Sequence, residues 1–311
     1  MNPPCPDNQS VSEIESEKLK GEVREFWNRQ ACDTHMAGAA KFTREYFEQI
    51  EAFRYSDQPC IHAFAQFTRY RGRKILEVGV GAGTDFIQWL RAGALACGID
   101  LTQEAVDHVA NRVRIYGLPA AEKLQVGDAE NLPFASETFD LGYSFGVLHH
   151  SADTVRAIGE LVRVVRPGGE VKIMLYNSRS ICAINAWVKH ALLRGQPWKS
   201  IAWALWHHVE SIGTKAYTRR ELTDIFTALP LTDIRVHTEI TSADTLAASS
   251  FRPLNLTWLL AIWMAGIKYP WELKDYSLST RDTAPEPSAG PTFSGHPLGW
   301  FHCISARKLS A

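Results

Sequence analysis

The sequence predicts an α/β protein built on a mainly parallel sheet, and three observations carry that prediction. From Lys74 onward, short runs of β-branched and apolar residues alternate with amphipathic stretches, the pattern of βαβ units. The first run enters a turn with glycine at 79, 81 and 83. The next two runs each close on an acid, Asp100 and Asp128.

Before that pattern the chain reads as helical. Residues 1–10 are polar and proline-rich, and are expected to be disordered. Helices are expected at 13–30 and 41–53; in the second, Phe42, Tyr46, Ile50 and Phe53 recur at three- and four-residue steps and share a face. A short third helix is expected over 59–70. Strands follow at 74–78, 94–99, 123–127, 139–145 and 170–176, with helices at 84–91, 103–116 and 152–165 between them. A tryptophan-bearing stretch then holds Trp187, Trp198, Trp203 and Trp206, and Thr218 with Glu221 forms a capping box that announces another helix. A sixth strand is expected at 233–238 and a last one within 299–308. Residues 239–298 show no strand alternation, and a loop-like insert of that length usually has a job, such as covering a ligand. No internal repeat is visible.

Composition narrows the function. The 311 residues carry 33 Lys and Arg against 34 Asp and Glu, so there is no net positive field for nucleic acid and none is expected as substrate. Six scattered cysteines form neither a CxxC pair nor a zinc spacing; reduced thiols, no metal and a cytoplasmic location are expected. The polar N-terminus lacks the plan of a signal peptide, and the most apolar window, 254–267, is short for a bilayer span.

Glycines at 79–83 let the backbone turn sharply and let a ligand approach it. Asp100, 17 residues beyond Gly83, suits both hydroxyls of a ribose, and Asp128 suits an exocyclic adenine amine. A dinucleotide fold more often has its third glycine one residue later, where Thr84 stands.

In the blocks LEVGVGAGT, GIDLT, GDAENLPF, FDLGYSFGVLHH and LVRVVRPGGEV, the sequence resembles class I S-adenosylmethionine-dependent methyltransferases, especially the branch of ubiquinone and menaquinone C-methyltransferases. The resemblance covers about a third of the chain. It implies a Rossmann-like seven-stranded sheet of order 3-2-1-4-5-7-6 with an antiparallel last strand, N-terminal helices and a C-terminal insert or lid. It implies S-adenosyl-L-methionine as cofactor, with Glu77, Gly79, Gly81 and Gly83 at its methionine end. Asp100 and Leu101 would meet the ribose and adenine, Asp128 and Ala129 the adenine edge, and Phe145 and Gly146 would border the cleft. Residues 167–169 would form a turn into the fifth strand. Residues 1–70 then read as a helical cap, and 71–311 as the cofactor-binding domain with substrate-side inserts at 178–215 and 239–298.

A small, apolar or aromatic methyl acceptor is expected, with His149, His150 and Tyr143 as candidate general bases by their position at the end of the fourth strand. Packing or helix capping is the plainer reading of the two histidines. His207, His208 and Glu210 could be mistaken for metal ligands, but adjacent helical histidines point to different sides. The tryptophans and the 254–267 stretch read as core, substrate lid, homodimer seam or membrane-surface helix. Two rival functions stay open: a nicotinamide-dependent oxidoreductase of related fold, and a non-catalytic S-adenosylmethionine-binding subunit of a complex.

Overall fold

A computed structural model of the protein describes residues 13–29, 31–245 and 290–310. The expected N-terminal disorder and the apolar 254–267 stretch lie outside these residues. Three helices precede the sheet: α1 (Glu13–Arg29), α2 (Arg44–Asp57) and α3 (Cys60–Ala65). Thr43 caps α2, its hydroxyl accepting from Tyr46 N–H, which starts this helix three residues later than the periodicity suggests. The expected third helix is divided: α3 stops where Gln66 turns left-handed at φ +57°, and a 3₁₀ turn covers Phe67–Tyr70.

The sheet alternates with helices as anticipated. In order come β1 (Lys74–Val78), α4 (Phe86–Ala92), β2 (Leu95–Asp100), α5 (Gln103–Tyr116), β3 (Lys123–Val126), β4 (Phe139–Phe145) and α6 (Thr154–Val164). These are followed by β5 (Val165–Tyr176), which begins five residues earlier than expected. Residues 167–169 fall inside the span of β5 at an irregularity, where the register with β4 shifts between Phe139↔Val165 and Leu141↔Glu170 and Gly168 takes φ +73°. The tryptophan-bearing stretch forms two helices, α7 (Ile181–His190) and α8 (Ile201–His208), whose last residues stack, His190 on His208 with ring centroids 4.2 Å apart.

Then come α9 (Arg219–Thr227), β6 (Leu231–Glu239), β7 (Thr292–Gly295) and β8 (Phe301–Lys308). The capping box at α9 is formed in both directions: Glu221 N–H donates to Thr218 Oγ1 at 3.2 Å, and Thr218 N–H to Glu221 Oε2 at 2.6 Å.

The strands line up as β3-β2-β1-β4-β5-β8-β6-β7. Strands β3 through β5 are parallel, and β8 inserts antiparallel between β5 and β6. This is the seven-strand order of the sequence reading with one strand added at the edge. The extra strand, β7, falls inside the stretch read as lacking strands; it is four residues long and pairs parallel with β6. Backbone pairing with an already placed strand supplies the order that its Pro, Gly and Ser neighbours do not signal.

The described ends of the insert are tied down. The buried carboxylate of Asp244 accepts from the N–H groups of Thr241, Cys182 and Trp300. One apolar core lies on each face of the sheet. On one side Trp89, Phe86, Phe67 and Tyr143 pack together; on the other, Ile158 and Leu161 of α6 pack with Phe226 of α9. Because the parallel strands share one direction, their carboxyl ends line one edge, where open α/β sheets bind ligands.

Candidate cofactor and acceptor site

A cavity of about 320 Å³ opens at that edge. Its floor is the turn after β1. Arg112 of α5, fully buried, holds this turn: Nη1 donates to Ala82 O and Thr84 Oγ1, and Nη2 donates to Phe47 O and Glu51 Oε2. The glycine loop is thereby braced from behind against α2.

The three glycines do different work. Gly79 (φ +82°) passes close to Val147, which a Cβ would meet at 2.2 Å. Gly83 (φ +75°) does not line the cavity; a Cβ there would lie 2.9 Å from Val109 of α5, so its smallness serves helix packing. Gly81 (φ +50°) faces the cavity, where a Cβ would find only Cys32, at 3.7 Å. Gly83→Ala is therefore expected to lower stability by about 2 kcal/mol or more, from overpacking and left-handed strain. Gly81→Ala should chiefly weaken ligand binding. Thermal melts of the two variants, each with and without ligand, would separate the effects; equal melting temperatures for wild type and Gly83→Ala would refute the packing role.

Asp100 ends β2 and is partly exposed to the cavity. Its Oδ1 accepts from Thr102 N–H at 3.0 Å and Thr102 Oγ1 at 2.8 Å, and its Oδ2 from Gly81 N–H at 3.1 Å. Thr102 in turn caps α5 through Ala105 N–H, so the carboxylate is oriented by the start of a helix. Burial of its surroundings raises its pKa against the pull of these donors. Leu101, Ala129, Phe145 and Gly146 also line the cavity.

Asp128 lines the cavity too, but its carboxylate is already engaged: Oδ1 accepts from Glu130 N–H, and Oδ2 accepts from Lys20 of α1 at 2.7 Å. Lys20 also lies 2.9 Å from Glu130. Burial works against the charge on Lys20, but the hydrogen bonds and charges of Asp128 and Glu130 outweigh it and raise its pKa. Through this pairing, and through Leu19 and Val23 packed near Leu101, Ala152 and Trp206, helix α1 covers one end of the cavity.

At the other end Glu77, buried at the end of β1, accepts from Trp89 Nε1 at 2.7 Å. Burial, followed by the charge on Asp85, raises its pKa well above the ordinary carboxylate range. Asp85 is bound by Arg54 through two nitrogens and by the hydroxyls of Tyr55 and Tyr143. Among the described residues, eight acidic side chains line the cavity against two basic ones, Lys20 and Arg54.

The three candidate bases part company. Tyr143 is fully buried, does not line the cavity, and donates its hydroxyl to Asp85 Oδ2 at 3.1 Å. His149 is fully buried behind Tyr176, their ring centroids 3.8 Å apart, and burial beside His150 depresses its pKa well below the usual imidazole value.

His150 does reach the cavity. Its Nδ1 lies 3.0 Å from Ser211 Oγ and 3.1 Å from Thr214 Oγ1, and Trp27 of α1 packs edge-on against its ring. Its Nε2 lies 3.0 Å from Glu210 Oε2, outside hydrogen-bond alignment. Glu210 also accepts from Tyr176 Oη. The donor atoms of His149, His150 and Glu210 all fall within 4.8 Å of one another. Around this polar group the cavity wall is apolar: Trp27, Phe53, Phe145, Met174, Tyr176 and Phe301.

Sequence reasoning missed Lys20, Trp27 and Arg54, which nothing local marks, because each reaches the cavity from an element remote in sequence. Glu210 was named only beside His207 and His208, and its pairing with His150 was not foreseen.

Residues 76–173 match the family model described as a methyltransferase domain. Over 119 residues the chain is 34% identical to a malonyl-[acyl-carrier protein] O-methyltransferase from Erwinia billingiae, covering 38% of this chain and 45% of that protein. It is 34% identical over 124 residues to a phosphatidylethanolamine N-methyltransferase from Cereibacter sphaeroides (40% and 60%), and 32% identical over 127 residues to a demethylmenaquinone methyltransferase from Corynebacterium kroppenstedtii (40% and 52%). The matched stretch thus spans about half the length of these relatives. A geranyl diphosphate C-methyltransferase from Streptomyces coelicolor, solved with S-adenosyl-L-homocysteine, shares the fold: TM-score 0.54 at 15% identity, covering 94% of this chain and 98% of that one.

Proposed function

Since residues 76–173 form a class I S-adenosylmethionine-dependent methyltransferase domain, we propose that this chain transfers a methyl group to a small, apolar or aromatic acceptor by in-line displacement. When bound, the cofactor supplies an electrophilic methyl group on a positively charged sulfur. The observation that carries the reading is the charge of the cavity's described lining, eight acids, of which burial holds Glu77 toward its neutral form, against two bases, and it favours a cationic ligand. A nicotinamide dinucleotide brings a pyrophosphate, for which this lining is repulsive. The acidic lining therefore disfavours the oxidoreductase alternative.

Asp100 would hold the ribose hydroxyls, and Gly81 would let the ligand lie against the backbone. Glu77 and Asp85 together carry more potential negative charge than Arg54 balances, so an ammonium brought to that end would find a partner and draw Glu77 back to its ionised form. Asp128, held by Lys20, would present its remaining lone pairs to the adenine edge. The aromatic wall from Trp27 to Phe301 would exclude water and position an apolar acceptor.

His150 would take the proton of the acceptor's reacting group. Ser211 and Thr214 hold one ring nitrogen, and the Glu210 carboxylate beside the other would stabilise the imidazolium that forms.

Calorimetry on the purified protein tests the cofactor side. S-adenosylmethionine should bind with a defined stoichiometry, and NADH should give no heat; binding of NADH alone would overturn the proposal.

A further inference from the structure

The helical pair α7–α8 ends in a tip that the proposed chemistry does not use. Residues 191–200 form an ordered connection: Arg194 N–H and Gln196 N–H donate to Ala191 O, Gly195 N–H to Leu192 O, and Trp187 Nε1 to Lys199 O at 2.6 Å. Yet this tip presents large apolar side chains to solvent. Leu193 is 70% exposed, Trp198 71% and Leu192 42%. Scattered single apolar residues on a surface need no explanation, but three within seven positions on a braced loop do.

Charge supplies the second observation. From Val171 to Val209 there is no Asp or Glu, while Lys189, Arg194 and Lys199 flank the three apolar residues. Lys189 and Arg194 are exposed, and Lys199 lies over the Trp203 ring at 4.5 Å. Leucine and tryptophan at the apex with lysine and arginine around them match the layers of a bilayer surface: apolar side chains enter the acyl boundary, the indole sits at headgroup depth, and the cations meet anionic headgroups. Three side chains cover far less than the roughly 800 Å² per partner of a stable protein interface, whereas shallow insertion into lipid needs no matching surface. Among the described residues no helix is long and apolar enough to cross a membrane.

We propose that the 191–200 tip docks the protein on an anionic lipid surface. The proposal does not depend on which acceptor is methylated. Docking would bring the cavity of a chain whose wall is apolar to the phase in which apolar molecules concentrate.

The test is co-sedimentation of the full chain with vesicles of phosphatidylcholine alone or with about a third phosphatidylglycerol, at low and at high salt. Binding should require phosphatidylglycerol and fall steeply with salt. The double variant Leu193→Glu, Trp198→Glu should bind at least about tenfold less, since it removes the inserted groups and adds repelling charge. S-adenosylmethionine affinity, measured on the same preparations, should be unchanged and serves as the folding control; a single Trp198→Ser variant gives a milder second reading if the double variant does not fold. Three results would overturn the proposal: no preference for anionic vesicles, equal vesicle binding by variant and wild type, or a lipid-free dimer by light scattering that the variant dissociates. The last would assign the tip to a second copy of the chain.

Discussion

Asp100→Ala should weaken S-adenosylmethionine binding by about a hundredfold or more, since hydrogen bonds to a charged group contribute roughly 1.5–3 kcal/mol each and a ribose would lose two. The loss should be specific. Thr102 would still cap α5 through Ala105, so circular dichroism should change little. Asp100→Asn keeps one acceptor and should fall between the two.

Acid should act in the same direction. The Asp100 pKa is raised by burial, so its carboxylate takes up a proton at a higher pH than a free aspartate would, and affinity should drop as pH falls through that point. A calorimetric dissociation constant for Asp100→Ala within threefold of wild type would remove Asp100 from the site.

His150→Ala should lower kcat by about 10²- to 10⁴-fold, the usual range for losing a positioned general base, and leave cofactor affinity nearly intact. Glu210→Gln should cost less, because it removes the charge that would stabilise an imidazolium without removing the imidazole. Tyr143→Phe is the contrasting case. Its hydroxyl is buried against Asp85 and away from the cavity, so the variant should lose some stability and little turnover. The assay is methyl transfer from labelled S-adenosylmethionine to the first acceptor found in a screen of phenols, enols and amines. If His150→Ala turned over like wild type while Tyr143→Phe did not, the assignment of the base would be reversed.

The two sets of residues differ in how far they could be read in advance. The residues expected at the cofactor were legible as one group because they follow chain order. Each parallel strand ends at the same edge, so the residues just after β1, β2, β3 and β4 converge whatever lies between them, and Gly81, Asp100, Asp128 and Phe145 all line one cavity. Even so, spacing alone could not divide the glycine turn into Gly81, which faces the cavity, and Gly83, which meets Val109. That division depends on where α5 packs. The candidate bases show the same limit more sharply: His149 and His150 are neighbours in sequence and equivalent by composition, yet one is buried behind Tyr176 and the other reaches the cavity.

By itself the sequence determined the alternation of strands and helices, the strand ends that carry the acids, the capping box at Thr218, and the family these imply. Those features are local: hydrophobic period, turn chemistry and short spacings act within a few residues of one another. Only the tertiary structure decided that Lys20 of α1 binds Asp128, that Arg54 neutralises Asp85, and that Glu210 stands beside His150. It alone added β7 to the sheet edge and left Leu193 and Trp198 exposed on the α7–α8 tip. These outcomes join residues up to 108 positions apart, and their energy comes from burying and pairing groups that no local pattern brings together.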